Sequence, residues 1–341
     1  MKKNEEYIVT CIDDTDLNSG VVKIDDMVVF VPNLLIGEKA KIKIVKVNKK
    51  YAFGIIIELL KPSINRQELT CEVAKTCGGC QLQHMSYAYQ LDYKYKHVKK
   101  LFEDIEVKPI LGMDNPWYYR NKAQFPVKIK DGKVQMGFYR QHSNDVVTCK
   151  ECKIQDHVIN EVFSFIQKKI TLKMAQDLRH VFIRHSSTDE IQVVFIGKNE
   201  KNIISLSDQL KNTFANIKSI VFNYNTRNDN VILGDTYKVL YGNDSIIEEC
   251  LGNKVKLHFK AFFQVNPKQM EVLYSQAIKA ANLSGNETCI DMYAGTGTIG
   301  MAVSQHAKSV IGVEIVKEAV DNANDNTKMN HLDHCHYVCQ D

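Results

Sequence analysis

The sequence predicts a multidomain chain: a small N-terminal β-barrel of the oligonucleotide-binding type, a central α+β region with a cysteine motif, and the first half of a Rossmann-like α/β domain. Three observations carry this. Short strand patterns crowd residues 5–60, Cys71, Cys77 and Cys80 surround two glycines, and Gly295-x-Gly297-x-x-Gly300 follows an apolar strand. At 341 residues the chain exceeds what one hydrophobic core usually supports. With 44% hydrophobic and 25% charged residues it is neither fibrous nor disordered. No apolar run is long enough to cross a membrane as a helix. The opening Met1-Lys2-Lys3-Asn4-Glu5-Glu6 has no apolar core after its charges, so no secretory leader is expected. Ten cysteines without such a leader point to reduced thiols, metal chemistry and a cytoplasmic location.

Strand patterns fall at 7–12, 20–24, 27–31, 41–47 and 52–60, separated by Asp13-Asp14, Asn18-Ser19-Gly20, Asp25-Asp26 and Pro32-Asn33. So many strands in so short a stretch suggest a closed barrel, ended by Lys61-Pro62-Ser63 and giving a first domain over 1–61. Its core should take Ile42, Ile44, Val45 and Val47. The cysteine segment follows, then a helix over 86–103. Residues 118–252 read mostly as strands, with helices near 156–169 and 202–215, which makes 62–255 the central domain. Pro267 suits the first turn of a helix reaching Ala281. From Thr288 the order is strand, glycine turn, helix, strand, helix, strand, within a third domain over 256–341.

Charge is unevenly placed. Residues 1–60 carry 9 Lys/Arg against 9 Asp/Glu, whereas 61–150 carry 15 against 9. Lys39, Lys41, Lys43, Lys46, Lys49 and Lys50 have no acid among them, and Lys39, Lys41 and Lys43 share one face of a strand. A solvated face is the plainest reading; a second basic cluster mixed with aromatics adds a polyanion partner.

Around Gly295, Gly297 and Gly300 bare backbone lets a ligand approach closely. The next strand ends at Glu314, 19 residues after Gly295, where a carboxylate suits the two hydroxyls of a ribose. The turn lacks the lysine of a P-loop, which disfavours ATP. Asp291, just before the glycines, fits the ammonium of S-adenosylmethionine better than a nicotinamide dinucleotide; a tight turn without ligand is the remaining reading.

Cys71-x5-Cys77-Gly78-Gly79-Cys80 is a dense thiol cluster suited to an iron–sulfur cube or a zinc ion. A fourth ligand would be Cys149 or Cys152. Spacing alone does not separate the two metals.

Together these residues resemble the RumA/TrmA-type RNA (uracil-5-)-methyltransferases, over essentially the whole chain. Val29-Phe30-Val31-Pro32 and Ile36-Gly37-Glu38 look like a TRAM barrel, and Cys71-x5-Cys77-Gly-Gly-Cys80-Gln-x-Gln-His84 like the family's cluster motif. The resemblance implies a 4Fe-4S cluster on Cys71, Cys77, Cys80 and Cys152, with zinc as the alternative. Tyr119-Arg120-Asn121-Lys122 and Gly137-Phe138-Tyr139-Arg140 resemble an RNA-facing segment. It implies S-adenosylmethionine contacts at Gln264, Tyr293, Gly295, Gly297, Thr298, Glu314 and Asp341, and RNA contacts at Lys41, Lys43, Arg120, Lys122, Phe138 and Arg140. Tyr118, Tyr119 and Phe138 are candidates to stack on unpaired bases, with core packing as the other reading of each. The barrel favours large-subunit (23S) rRNA over tRNA as the substrate. No membrane and no protein partner is implied, and a monomer is expected.

Uracil is a poor nucleophile at C5. The family adds a cysteine to C6 and later removes the C5 proton with a base. Its Pro-Pro-Arg, Ser-Cys-Asn and late Glu motifs are not found here. Cys335 and Cys339 lie in a strand pattern with no matching motif. The expectation is therefore a shortened cofactor sheet, owed about four more strands or roughly 100 residues, in a chain that binds RNA without methylating it.

Overall fold

The computed structural model describes residues 1–102 and 104–340, in two compact units, Met1–Asp114 and Asn115–Asp341. The first unit holds β1 (Glu6–Thr10), β2 (Asp13–Asp14), β3 (Ser19–Ile24), β4 (Met27–Pro32), β5 (Lys39–Val47), β6 (Tyr51–Lys61) and α1 (Tyr87–Leu101). Glu103, the expected last residue of that helix, lies outside the described residues. The strands order as β1-β5-β6-β4-β3-β2. One run of chain closes this sheet: Tyr7 pairs with Ile42 on β5, while further along Ile12 N–H donates to the Val21 carbonyl of β3 at 2.9 Å. The barrel predicted from strand spacing is thus formed, around Val9, Val22, Val29, Val31, Ala40, Ile42, Ile44 and Ala52.

On β5, Lys39, Lys41 and Lys43 alternate with buried Ala40, Ile42 and Ile44, as a strand's period of two requires. The alternation breaks at a bulge between Ile44 and Lys46. Val47, expected in the core, is opposite Ala52 beyond this bulge but is exposed as the last residue of the strand. Glu38 is fully buried. Its carboxylate accepts from Arg66 Nε and Nη2 at 2.6 and 2.7 Å, from Leu35 N–H at 2.9 Å and from Ser63 N–H at 3.0 Å. Burial pushes this carboxyl up, but the Arg66 guanidinium and the two amides outweigh it and hold it below its ordinary value. Tyr93 of α1 donates its hydroxyl to the Thr15 carbonyl at 2.5 Å, tying the helix to the barrel.

The second unit opens with β7 (Lys122–Lys130), β8 (Lys133–Met136), β9 (Phe138–Tyr139), β10 (Val146–Val147), α2 (His157–Lys169) and α3 (Leu172–Ala175). It continues with β11 (Leu178–His185), β12 (Ile191–Gly197), α4 (Ile204–Thr213), β13 (Ile217–Tyr224) and β14 (Tyr237–Gly242). These build a sheet ordered β14-β13-β12-β11-β7-β8, antiparallel except where α4 crosses between parallel β12 and β13. Asp156 caps α2 by accepting from Val158 N–H at 2.9 Å, and Ile159, Val162, Phe163 and Ile166 form its buried stripe.

A hairpin of β15 (Ser245–Cys250) and β16 (Asn253–His258) leads to α5 (Pro267–Ala281). Then come β17 (Thr288–Met292), α6 (Thr298–Ser304), β18 (Ser309–Glu314), α7 (Lys317–Met329) and β19 (Cys335–Cys339), the strands forming a parallel sheet in that order. α7 satisfies two strand edges with asparagine side chains. Asn324 accepts from Tyr337 N–H at 3.0 Å and donates to its carbonyl at 2.9 Å. Asn326 and Asn330 accept from Lys256 N–H and Lys254 N–H, each at 2.8 Å. Ile290 and Met292 of β17 are exposed, so apolar side chains face solvent on this sheet.

Candidate cofactor site and nucleic-acid interface

The glycine turn sits between β17 and α6. Tyr293 (φ +64°) and Gly295 (φ +56°) take the left-handed region, which reverses the chain tightly. Tyr293 is 89% exposed. A Cβ on Gly295 would meet nothing within 4 Å, so this glycine leaves open space above the backbone. Gly295 N–H donates to Glu314 Oε2 and Val316 N–H to Oε1, each at 2.9 Å. The carboxylate at the end of β18 is therefore held beside the turn, as the 19-residue spacing predicts, with lone pairs remaining for further donors. Thr298, first residue of α6, has its hydroxyl 3.3 Å from that of Tyr274. Gln264 lies exposed before α5. Asp341 is outside the described residues.

Asp291 accepts from Gly300 N–H at 3.1 Å. Burial pushes its carboxyl up to about 6, and the single amide only partly opposes this. A cation beside it would favour the ionised form. Gly297 and Gly300 serve packing, because a Cβ at either would press on Tyr337, within 2.6 Å of Cζ and 2.4 Å of the hydroxyl oxygen respectively. These residues fit S-adenosylmethionine: a carboxylate for ribose hydroxyls, bare backbone, and an acid near an ammonium.

The RNA-facing expectations divide. Lys43 lies on the outer barrel face, while Lys41 is committed to Glu6 at 2.8 Å. In the second unit Lys122 is opposite Arg184 across β7 and β11. Burial first, then Arg184 and Arg120, push its ammonium down to about 8. Arg140 is exposed. Phe138 packs on buried Phe125, ring centroids 5.2 Å apart, and so serves the core. Tyr118 stacks on His157 at 3.8 Å and donates to Glu151 at 2.8 Å, so its ring face is already occupied. Sequence reasoning missed Arg184. It is 1% exposed and donates to the carbonyls of His258 at 3.3 Å and Ala261 at 2.8 Å, anchoring the loop that carries Gln264.

The cysteine expectation is not supported by the geometry. Cys71, Cys77 and Cys80 lie half-buried in the first unit, and Cys152 belongs to the second. Burial pushes the Cys77 thiol up, and the Gly79 amide opposes it. Among the described residues no three His, Cys, Asp or Glu side chains are grouped to hold a metal ion. Cys335 is buried, its thiol directed at the Tyr337 hydroxyl at 3.4 Å and pushed up by burial, which unsuits it as a nucleophile. No helix among the described residues is long and apolar enough to cross a membrane.

Residues 86–339 match the family model of the tRNA (uracil-5-)-methyltransferases, and residues 3–57 match the TRAM domain. An uncharacterized RNA methyltransferase of Halalkalibacterium halodurans is 42% identical, the match covering 97% of this chain and 76% of the relative. One from Clostridium tetani is 38% identical over 99% of this chain and 77% of its own length. These matches do not show a shortened cofactor sheet. Among solved structures, the tRNA (uracil-54, C5)-methyltransferase of Pyrococcus abyssi, in complex with S-adenosyl-L-homocysteine, superposes with a TM-score of 0.73 at 24% identity, covering 97% of this chain and 78% of that one. The chain belongs to the tRNA (uracil-5-)-methyltransferase family and begins with a TRAM domain.

Proposed function

We propose that this protein binds S-adenosylmethionine at the glycine turn and serves methyl transfer to C5 of a uridine in RNA. The observation that carries the proposal is the Gly295–Glu314 hydrogen bond, which fixes a carboxylate beside open glycine backbone. The bound donor would supply an electrophilic methyl sulfonium. Glu314 would hold the ribose hydroxyls, Asp291 would face the ammonium, and Gln264, Tyr293 and Thr298 would line the approach. The uridine must leave its stack to be reached. Arg120, Lys122 and Arg140 would neutralise phosphates. No residue of this chain is assigned as nucleophile or base.

Large-subunit rRNA is the substrate class we favour. tRNA is the second reading, and a specific observation supports it: the Pyrococcus abyssi tRNA enzyme superposes over 97% of this chain, barrel included. The rRNA reading therefore rests on the resemblance of the whole chain and not on the barrel alone. Deleting the gene and measuring 5-methyluridine in purified 23S rRNA and tRNA distinguishes them. Loss from rRNA is the expected result, loss from tRNA alone moves the assignment to the second reading, and no loss from either overturns the proposal.

A 4Fe-4S cluster or a zinc ion held by Cys71, Cys77 and Cys80 is a separate reading, which rests on thiol spacing and the resemblance alone. Oxygen-free purification tests it. Brown protein with iron and inorganic sulfide supports the cube, colourless protein with about one zinc supports the alternative, and neither metal removes both.

A further inference from the structure

The outer face of the barrel carries an aromatic cluster that the cofactor site does not use. Phe30 of β4 and Tyr51 and Phe53 of β6 come together because these strands run parallel, with Val28 opposite Tyr51 and Phe30 opposite Phe53. Val29, Val31 and Ala52, the alternate residues, fill the core, so the three rings stand outward. Phe30–Tyr51 and Tyr51–Phe53 meet edge to face, with centroids 5.8 and 5.6 Å apart and planes at 68° and 87°. Phe30 and Phe53 lie 5.9 Å apart. Edge-to-face packing fixes the rings against one another; Tyr51 is 40% exposed, while Phe30 and Phe53 are half-buried.

Lysines border the cluster on both sides. Lys23 of β3 is opposite Val28, while Lys43 and Lys46 of β5 are opposite Ile55 and Phe53. Lys49 and Lys50 lie in the turn before Tyr51. Lys41 is ion-paired with Glu6, but Lys23, Lys43 and Lys46 form no ion pair among the described residues. Asp25 and Asp26, the acids nearest Lys23 in sequence, are confined to the β3–β4 turn, while Glu6 of β1, opposite Lys43, is paired with Lys41. Aromatic rings between Lys23 on one side and Lys43 and Lys46 on the other match a ligand with stackable rings and a repeating negative charge. Unpaired nucleic acid has both, whereas a duplex hides its ring faces.

We propose that Phe30, Tyr51 and Phe53 form a stacking platform for unpaired RNA bases, with Lys23, Lys43 and Lys46 holding the flanking phosphates. This rests on the reading of RNA as substrate. It assigns the barrel to the single-stranded part of that RNA.

The test is fluorescence anisotropy of the full chain with a labelled oligouridine strand and with a blunt RNA duplex, over a series of salt concentrations. Tyr51→Ala and Phe53→Leu should each weaken single-strand binding by about 5- to 150-fold with the salt slope unchanged. Phe53→Tyr should restore it, since any π-face serves. Lys43→Gln and Lys46→Gln should each flatten the slope by about 0.7. Circular dichroism establishes that every variant is folded. Ring variants that bind the strand like the wild type overturn the platform but not the RNA reading, as does an equal loss for strand and duplex. Failure of the wild-type chain to bind any RNA removes both.

Discussion

The hydroxyl of Tyr337 donates to the carbonyl oxygen of Gly297 over 2.9 Å, so the third strand of the cofactor sheet braces the glycine turn between the first strand and its helix. Gly297, Gly300 and Gly312 all leave room for the same ring: a Cβ on Gly312 would come within 2.0 Å of Tyr337 Cδ1. Gly295 differs, opening to free space. One glycine of the motif is thus available to a ligand's approach, and its companions accommodate a buried tyrosine.

Gly312→Ala should accordingly destabilise the second unit by about 1–3 kcal/mol through overpacking. Combined with Tyr337→Leu, the loss should be clearly smaller than the sum of the single losses. Additive losses in urea titrations would mean that the ring is not what the glycine accommodates.

Asp291 should make stability depend on pH. Its carboxyl is pushed from an ordinary 3.8 to about 6 by burial, opposed by the Gly300 amide. The neutral form therefore stabilises the fold fully below about 3.8, and that stabilisation is lost as pH rises through about 6. Asp291→Asn keeps an oxygen for the Gly300 amide and removes the titration. Relative to wild type, the variant should gain stability between pH 4 and pH 7, by at most about 3 kcal/mol. A difference that stays flat across this range would contradict the assignment.

Arg66→Met should unfold the first unit more easily by about 3–5 kcal/mol at pH 7, because Glu38 would remain buried without its cation. Glu38 is held below its ordinary value, so its contribution in the wild type is complete above about 4.5 and declines as pH falls. Denaturant midpoints at pH 7 and pH 4 should show the gap between variant and wild type narrowing in acid.

Legibility in the sequence followed the range of the forces involved. α5 begins at Pro267 and ends at Ala281 as expected, since Asn266 caps it by accepting from Gln269 N–H at 3.1 Å and Asn282 ends it in the left-handed region. These signals act within a turn or two. The Gly295–Glu314 contact was legible because strand, turn, helix and strand impose the spacing. Val47 was misplaced because it ends β5: the bulge sets it opposite Ala52, but the strand stops there and leaves it exposed, and where a strand ends is poorly marked in periodicity. Arg184 was passed over because its burial depends on carbonyls more than seventy residues away. The asparagines of α7 give the same lesson: their partners are edges of β16 and β19, which only the tertiary fold brings alongside.

The most direct measurement is calorimetric titration of the full chain with S-adenosylhomocysteine, repeated on Glu314→Ala and with a nicotinamide dinucleotide as the control ligand. Saturable binding of one S-adenosylhomocysteine, weakened at least tenfold by Glu314→Ala (about 1.4 kcal/mol) and absent for the dinucleotide, is the expected result. Binding that Glu314→Ala leaves unchanged, or that the dinucleotide reproduces, would contradict the assignment of the glycine turn as a methyl-donor site.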